Sequence, residues 1–192
     1  MKSPLAVLLI LAAAAATCSL SAQEAAAEDT PGGRLCLSVS YFGEMITHPG
    51  FSLGLEYRLY STAWYELALA GRAGWYIHIR NHQAAFFEPG IVNRFTAKPG
   101  FFGDLLIGLG CLVRSPDGDV YVSDAAGNTV PGTVPLHPRL VFSAFIGGGL
   151  DFGRQTAAPL SYYIRAGVFG EYPYNGFMLP HPALESGLRF RF

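Results

Sequence analysis

Arginine and carboxylate side chains recur at even spacing within segments that are otherwise apolar. Glu56 and Arg58 are two residues apart, and Glu66 and Arg72 are six apart. Because the side chains of a strand alternate between two faces, even spacing puts both members of such a pair on one face. Arginine presents a planar fork that pairs well with a carboxylate, so these faces predict salt bridges. The predicted charge network consists of Glu56, Arg58, Glu66, Arg72, Glu88, Arg94, Asp104, Arg165, Glu185 and Arg189.

Histidine is the second residue type here that could do chemistry. His78 and His82 share one predicted loop, and His48, His137 and His181 also fall in predicted loops or at strand ends. A ring of imidazoles could bind a transition metal or respond to acid. No spacing of carboxylate and histidine matches a recognised metal motif, so we interpret these histidines as ordinary polar loop residues. The sequence thus predicts no metal site and no cofactor.

The elements that must position the charges are strands, because eight segments alternate apolar with polar or small residues. In seven of them the charged residues have the parity that opposes most of the large apolar residues, and the first contains no charged residue. A soluble sandwich would turn these charges outward to water, and a membrane barrel would turn them inward to its lumen. Pro89 and Asn93 break the pattern of the fourth strand and predict a bulge or a shifted register there. The predicted strands are Leu35–Phe42, Phe51–Tyr60, Tyr65–Trp75, Phe86–Phe95, Phe101–Arg114, Arg139–Phe152, Leu160–Glu171 and Leu184–Phe192.

The N-terminal sequence predicts that the protein is exported. Lys2 precedes the apolar run from Leu5 to Ala16, and small residues follow, as in a secretory signal peptide. We assign residues 1–22 to this signal, with cleavage as late as residue 27 as an alternative, and residues 23–33 to a short connecting segment. Cys18 leaves lipidation open as a further alternative.

Composition excludes two other classes. The formal net charge is -1, which does not suggest nucleic-acid binding. Hydrophobic residues make up 51% of the chain, but after the signal none of its apolar runs approaches the roughly 20 residues of a membrane helix. The hydrophobicity is instead dispersed by alternation, as in barrel walls.

The C-terminal strand provides the link to a known group. Leu188, Phe190 and the final Phe192 share one face, and this resembles the signal that the bacterial outer-membrane assembly machinery recognises. With eight strands from residue 34 to 192, the chain resembles the small outer-membrane barrels that include the OmpA transmembrane domain, OmpX and OmpW. The resemblance implies an all-β, membrane-spanning, antiparallel up-and-down barrel of eight strands in the bacterial outer membrane. It also implies contact with outer-membrane lipids and with the assembly machinery.

The function follows less directly. Eight strands enclose an interior just wide enough for their own side chains, so we expect the charges to plug the lumen. The favoured role is therefore structural or interactive, with the four longer loops at the surface and Ser115–Pro138 as the main contact for a host or surface ligand. The alternative is a narrow, porin-like passive channel for small molecules. A lipid A deacylase of this barrel type has a serine two residues from a histidine; none of the five histidines here does, so we predict that the chain is not an enzyme.

Two smaller predictions concern the cysteines and the aromatic residues. Cys36 faces the lumen and Cys111 faces lipid, so the two thiols are expected to stay free. Aromatic residues near strand ends suit the interfacial girdle, where amphipathic rings sit at the level of the lipid headgroups. The girdle is predicted to contain Tyr41, Phe42, Phe51, Trp75, Tyr76, Tyr172 and Tyr174.

Overall fold

The computed structural model describes residues 33–192 with the exception of residues 80, 119, 125, 133–137, 157 and 175. The predicted signal peptide and nearly all of the connecting segment lie outside the described residues, as does His137. No helix among the described residues is both long enough and apolar enough to cross a bilayer.

Eight long strands close into a single antiparallel barrel, in which each strand pairs with its neighbours along the chain and the first pairs with the last. The all-β prediction of an eight-stranded up-and-down barrel is confirmed. Two further short strands form a separate hairpin within the longest connection. In chain order the strands are β1 (Leu35–Glu44), β2 (His48–Ser61), β3 (Tyr65–His78), β4 (His82–Thr96), β5 (Phe101–Pro116), β6 (Val120–Ser123), β7 (Thr129–Gly132), β8 (Arg139–Asp151), β9 (Leu160–Tyr174) and β10 (Phe177–Arg191).

The barrel is apolar outside and polar inside. On β1, Leu37 and Val39 are exposed on the outer surface, whereas Ser38 and Ser40 between them are buried in the lumen. The same alternation of exposed and buried residues runs through the middle of the other barrel strands. A continuous belt of exposed aliphatic side chains would be unfavourable in water, but it matches the hydrocarbon core of a membrane. The charges therefore point inward, which resolves the choice between sandwich and barrel.

The two ends of the barrel differ. We call the end with the chain termini the terminal end, and the opposite end, which carries the β6–β7 hairpin, the arm end. Three of the four connections at the arm end are tight turns, because β1–β4, β9 and β10 extend further than the sequence indicated. The expectation of four longer surface loops is therefore wrong for three of them. The arm-end connections are 45–47, 79–81, 117–138 and 175–176, and the terminal-end connections are 62–64, 97–100 and 152–159.

The predicted irregularity at Pro89 is also wrong. The pairing of β4 with β3 runs without a shift, and the pairing with β5 keeps the same register on both sides of Pro89. Asn93, on the outer side of β4, accepts a hydrogen bond from the Tyr65 hydroxyl at 2.7 Å, which satisfies its polar side chain there. The register of β2 shifts instead between Arg58 and Tyr60, so that Tyr60 turns outward although its parity predicted the lumen.

Aromatic rings surround the outer surface at the terminal end, where Trp64 stacks on Phe95 and Phe101 is exposed. The girdle predicted at the arm end is only partly correct. Phe51 and Tyr172 lie on the outer surface, but Phe42 and Tyr76 are fully buried in the lumen. Their even parity placed them there, and closeness to a strand end did not override it.

Candidate functional site

The lumen near the terminal end is filled by charged side chains, and Arg94 on β4 lies at their centre. Its guanidinium pairs with Glu56 at 2.8 Å and with Asp104 at 3.3 Å, and it also contacts Glu66. These carboxylates come from β2, β5 and β3 respectively, so one arginine links four strands. Arg94 is only 1% exposed, which means that its charge is compensated by protein groups and not by bulk water.

Two further arginines extend the cluster across the barrel. Arg165 on β9 forms two hydrogen bonds to Asp104, at 2.6 and 3.1 Å, in the forked geometry that guanidinium groups favour. Arg72 on β3 pairs with Glu88 at 3.0 Å and with Glu185 on β10 at 2.9 Å. The cluster therefore spans the lumen from one wall to the other.

Arg58 and Arg189 complete the set. Arg58 pairs with Glu66 at 3.3 Å, and Arg189 lies 3.5 Å from Glu56. The structure thus brings all ten residues of the predicted charge network together, each of them buried and in an ion pair with another member. Five are arginines and five are carboxylates, so their formal charges cancel. We call this set the lumenal network.

Hydroxyl groups complete the hydrogen bonding, and sequence reasoning missed their roles. Ser40 and Ser52 donate to the Glu185 carboxylate at 2.8 and 2.9 Å, and Tyr163 donates to it at 3.1 Å. Glu88 accepts from Ser143 at 2.6 Å. All of these hydroxyls have the inward parity, and that was the one signal in the sequence that could have identified them.

An apolar layer lies above the lumenal network, towards the arm end. It is formed by the rings of Phe42, Tyr76, Phe86 and Phe169, whose centroids are 5.0–6.3 Å apart. The rings are fully buried, apart from Phe86, which is 4% exposed. Arg72 joins the two layers, because its guanidinium lies 5.9 Å from the Phe86 ring and can make a cation–π contact. We call these four rings the aromatic layer, which was not predicted from the sequence.

Above the aromatic layer, at the arm end, four histidines gather around Glu44. One Glu44 oxygen contacts His48, and the other lies 2.5 Å from Nδ1 of His181. The His48 and His78 rings stack with centroids 3.7 Å apart, and His82 lies beside His78. All four histidines belong to barrel strands, so their interpretation as loop residues is wrong. We call these five residues the mouth cluster.

Two arginines and a glutamate share this end of the lumen. Arg139 pairs with Glu171 at 2.5 Å, and Arg114 contacts the other oxygen of the same carboxylate. His181 lies between the two acids, because its Nε2 is 3.8 Å from Glu171. Charged groups therefore occupy both ends of the lumen, and the aromatic layer separates them.

Outside the lumen, the β6–β7 hairpin forms an arm above the arm end. Its turn is held by Asp124, whose carboxylate accepts the backbone N–H groups of Ala126 and Asn128 at 2.9 and 2.8 Å. The hydrogen bond from the Asn128 backbone is the main cause of a lowered pKa for Asp124. Tyr121 and Val122 on β6 are exposed, so the arm presents apolar surface to solvent.

The residues of the predicted assembly signal and the cysteines lie on the predicted faces. Leu188, Phe190 and Phe192 are exposed on the outer surface at the end of the chain. Cys36 is buried in the lumen, Cys111 is exposed on the outside, and both thiols are free, as predicted.

Comparisons with known proteins show similarity in structure only. No protein-family model matches the chain, and no curated protein matches it. Among solved structures, it is similar to the outer-membrane enzyme PagL (16% identity, 82% of this chain and 99% of the other, TM-score 0.49). It is also similar to Neisserial surface protein A (12% identity, 82% and 96%, TM-score 0.49) and to a de novo designed transmembrane β-barrel (12% identity, 85% and 99%, TM-score 0.48).

The architecture itself defines the class. A closed antiparallel barrel of eight strands, apolar outside and polar inside, is an integral membrane protein of the outer-membrane type. The predicted location in the bacterial outer membrane follows from this combination of fold and surface.

Proposed function

We propose that the protein is a plugged outer-membrane barrel that serves as a scaffold for its arm. The observation that carries this proposal is the aromatic layer: four buried rings close the lumen between two charged layers. An ion on a path through the barrel would have to pass between these closely spaced rings, whose apolar faces do not replace its hydration. The lumenal network below, whose charges compensate one another, would form a second barrier to the ion.

Orientation assigns the arm to the cell exterior. Outer-membrane barrels have their N-terminus in the periplasm, so the terminal end faces the periplasm and the arm end faces outward. The arm would then be the most prominent surface element, with Tyr121 and Val122 available for contact. Exposed aromatic and aliphatic side chains on a projecting hairpin are suited to binding a host or surface ligand.

The alternative role is a narrow passive channel. The lumen is rich in charge, which favours ionic solutes, but a path would exist only if the aromatic layer opened. That the chain is not an enzyme also stays a prediction; residual activity on lipid A would contradict it.

Conductance distinguishes plug from channel. The refolded barrel is inserted in a planar lipid bilayer, and its insertion is verified independently. We expect a silent bilayer. The variant Phe42→Ala/Phe169→Ala removes two rings of the aromatic layer and tests whether that layer is the barrier. Phe51→Ala, on the outer surface, is the matched control. Discrete wild-type channels that change when Arg72 is replaced would instead establish transport.

Deleting residues 117–138 tests the role of the arm. In the deletion variant a short Gly-Ser linker joins Pro116 to Arg139, because β5 extends four residues beyond the Leu112–Arg139 pair. This variant should fold, since β6 and β7 pair with each other and not with the barrel. A photo-crosslinking residue placed at Tyr121 in the intact protein should capture an external partner, and the same residue at Leu53 on the lipid-facing belt should not. Equal capture from both positions would contradict a specific role for the arm.

A further inference from the structure

The mouth cluster has the composition and spacing of a metal site. Glu44, His48 and His78 each offer one ligand atom, and these three atoms all lie within 4.8 Å of one another. Ligand atoms around a tetrahedral zinc ion lie about 3.3–3.6 Å apart, because each zinc–nitrogen or zinc–oxygen bond is about 2.0–2.2 Å long. A bound metal would therefore replace the direct contact between Glu44 and His48, and the three ligand atoms would turn towards the ion.

Strand register explains why the three residues meet. Glu44 lies directly opposite His48 in the β1–β2 ladder, and His78 lies opposite His82 in the β3–β4 ladder. The β2–β3 ladder pairs Gly50 with Tyr76, and one further step of two residues brings His48 beside His78. Potential ligands thus form a continuous row across four adjacent strands, at the same level of the barrel.

We infer that Glu44, His48 and His78 bind a divalent transition metal of the zinc class at the mouth of the barrel. Two imidazoles and a carboxylate form a donor set that suits zinc, whereas magnesium and calcium favour oxygen ligands alone. His48 and His78 are partly exposed, so the metal has access from the arm end. The inference is independent of the proposed scaffold role.

Two more histidines fit this assignment. Nδ1 of His181 lies 2.5 Å from one Glu44 oxygen, so His181 orients the carboxylate in the way that hydrogen-bonded neighbours orient metal ligands. His82 is 91% buried, its ring centroid lies 5.1 Å from that of His78, and its Nε2 has no hydrogen-bond partner among the described residues. A buried nitrogen without a partner is costly, and coordination as a fourth ligand would satisfy it.

The nearby positive charges are partly compensated. Arg114 and Arg139 both pair with Glu171, so that carboxylate offsets one of their two positive charges. Glu44 contacts histidines only, among the pairs that the structure describes. It is therefore the carboxylate at this end that is available to a metal.

Titration calorimetry with ZnCl₂ tests the site. The full mature chain is refolded in detergent without an affinity tag, and Co²⁺ absorption spectra report whether the coordination is tetrahedral. We expect one saturable site. His48→Asn and His78→Asn should each weaken binding by more than the roughly 10–100-fold that changes next to metal ligands cause. His181→Gln should weaken binding by a factor within that range of roughly 10–100-fold.

Asn81→Ala is the matched control, because Asn81 lies in the turn between His78 and His82 without contributing to the cluster. Its affinity should equal that of the wild type. Folding of each variant is judged by its gel mobility with and without heating. If His78→Asn does not fold, the zinc affinity of His48→Asn, at the partly exposed rim, still tests the site. The absence of saturable binding by the wild type, or binding that neither histidine variant weakens, would overturn the inference.

Discussion

Replacing Arg94 with Met should destabilise the barrel more than any exposed substitution. Arg94 pairs with Glu56, Glu66 and Asp104, and each of these carboxylates keeps a second arginine when Arg94 is removed. The variant therefore leaves one net negative charge uncompensated in a buried site. Breaking a buried ion pair in this way costs about 3–5 kcal/mol, and the remaining arginines place the expected loss near 3 kcal/mol.

Urea unfolding in lipid vesicles, followed by the fluorescence of the two tryptophans, measures this loss. Arg154→Met is the matched control: it makes the same chemical change at an exposed residue, and should alter the free energy of unfolding by no more than about 0.5 kcal/mol. Adding Glu66→Gln to Arg94→Met restores charge balance and should recover part of the stability. A loss below about 1 kcal/mol for Arg94→Met, as for an exposed pair, would show that water reaches the network and would refute the reasoning.

Three more outcomes are expected. Gly108→Ala should destabilise the barrel by about 1–3 kcal/mol in the same urea assay, because the added Cβ would collide with the Glu88 carboxylate; no change would mean that Glu88 moves freely. A membrane-permeant maleimide should label Cys111 but not Cys36 in the folded barrel, and both in unfolded, unreduced protein; failure of either to label after unfolding would indicate a disulfide. Phe192→Ala should slow assembly into the outer membrane in cells yet leave the refolded barrel stable; unchanged assembly would remove Phe192 from the predicted signal.

Side-chain parity predicted much of this fold. A period of two is a local property, so it placed Arg72, Glu185 and the rest of the network on one face without any knowledge of pairing. It could not show which charges meet. Arg72 reaches Glu185 across a lumen, and that contact depends on barrel closure, which joins residues far apart in the sequence.

Strand ends were predicted less well, and the errors had one physical cause. His78, Pro180 and their neighbours were assigned to loops because polar residues and prolines usually mark turns. Inside a barrel, polar residues such as His78 are acceptable in the wall because they face the lumen. Pro180 lies beyond the last pair of β1 with β10, where β10 is flanked by β9 alone, a position at which strands tolerate proline. Because the predicted strands were too short, the residues of the mouth cluster were not recognised as neighbours in the barrel wall.

The pairing of Arg189 with Glu56 has a consequence for how the barrel opens and closes. These residues lie on β10 and β2, on either side of β1, so their contact exists only after the first and last strands have met. The contribution of this pair is therefore gained late in folding and lost early when β1 and β10 separate, whereas pairs between adjacent strands, such as Arg94 with Asp104, do not depend on closure. Interactions absent from the transition state slow unfolding without speeding folding. The pair of Arg189 with Glu56 would thus slow unfolding, and Arg189→Met should unfold faster while folding at nearly the wild-type rate.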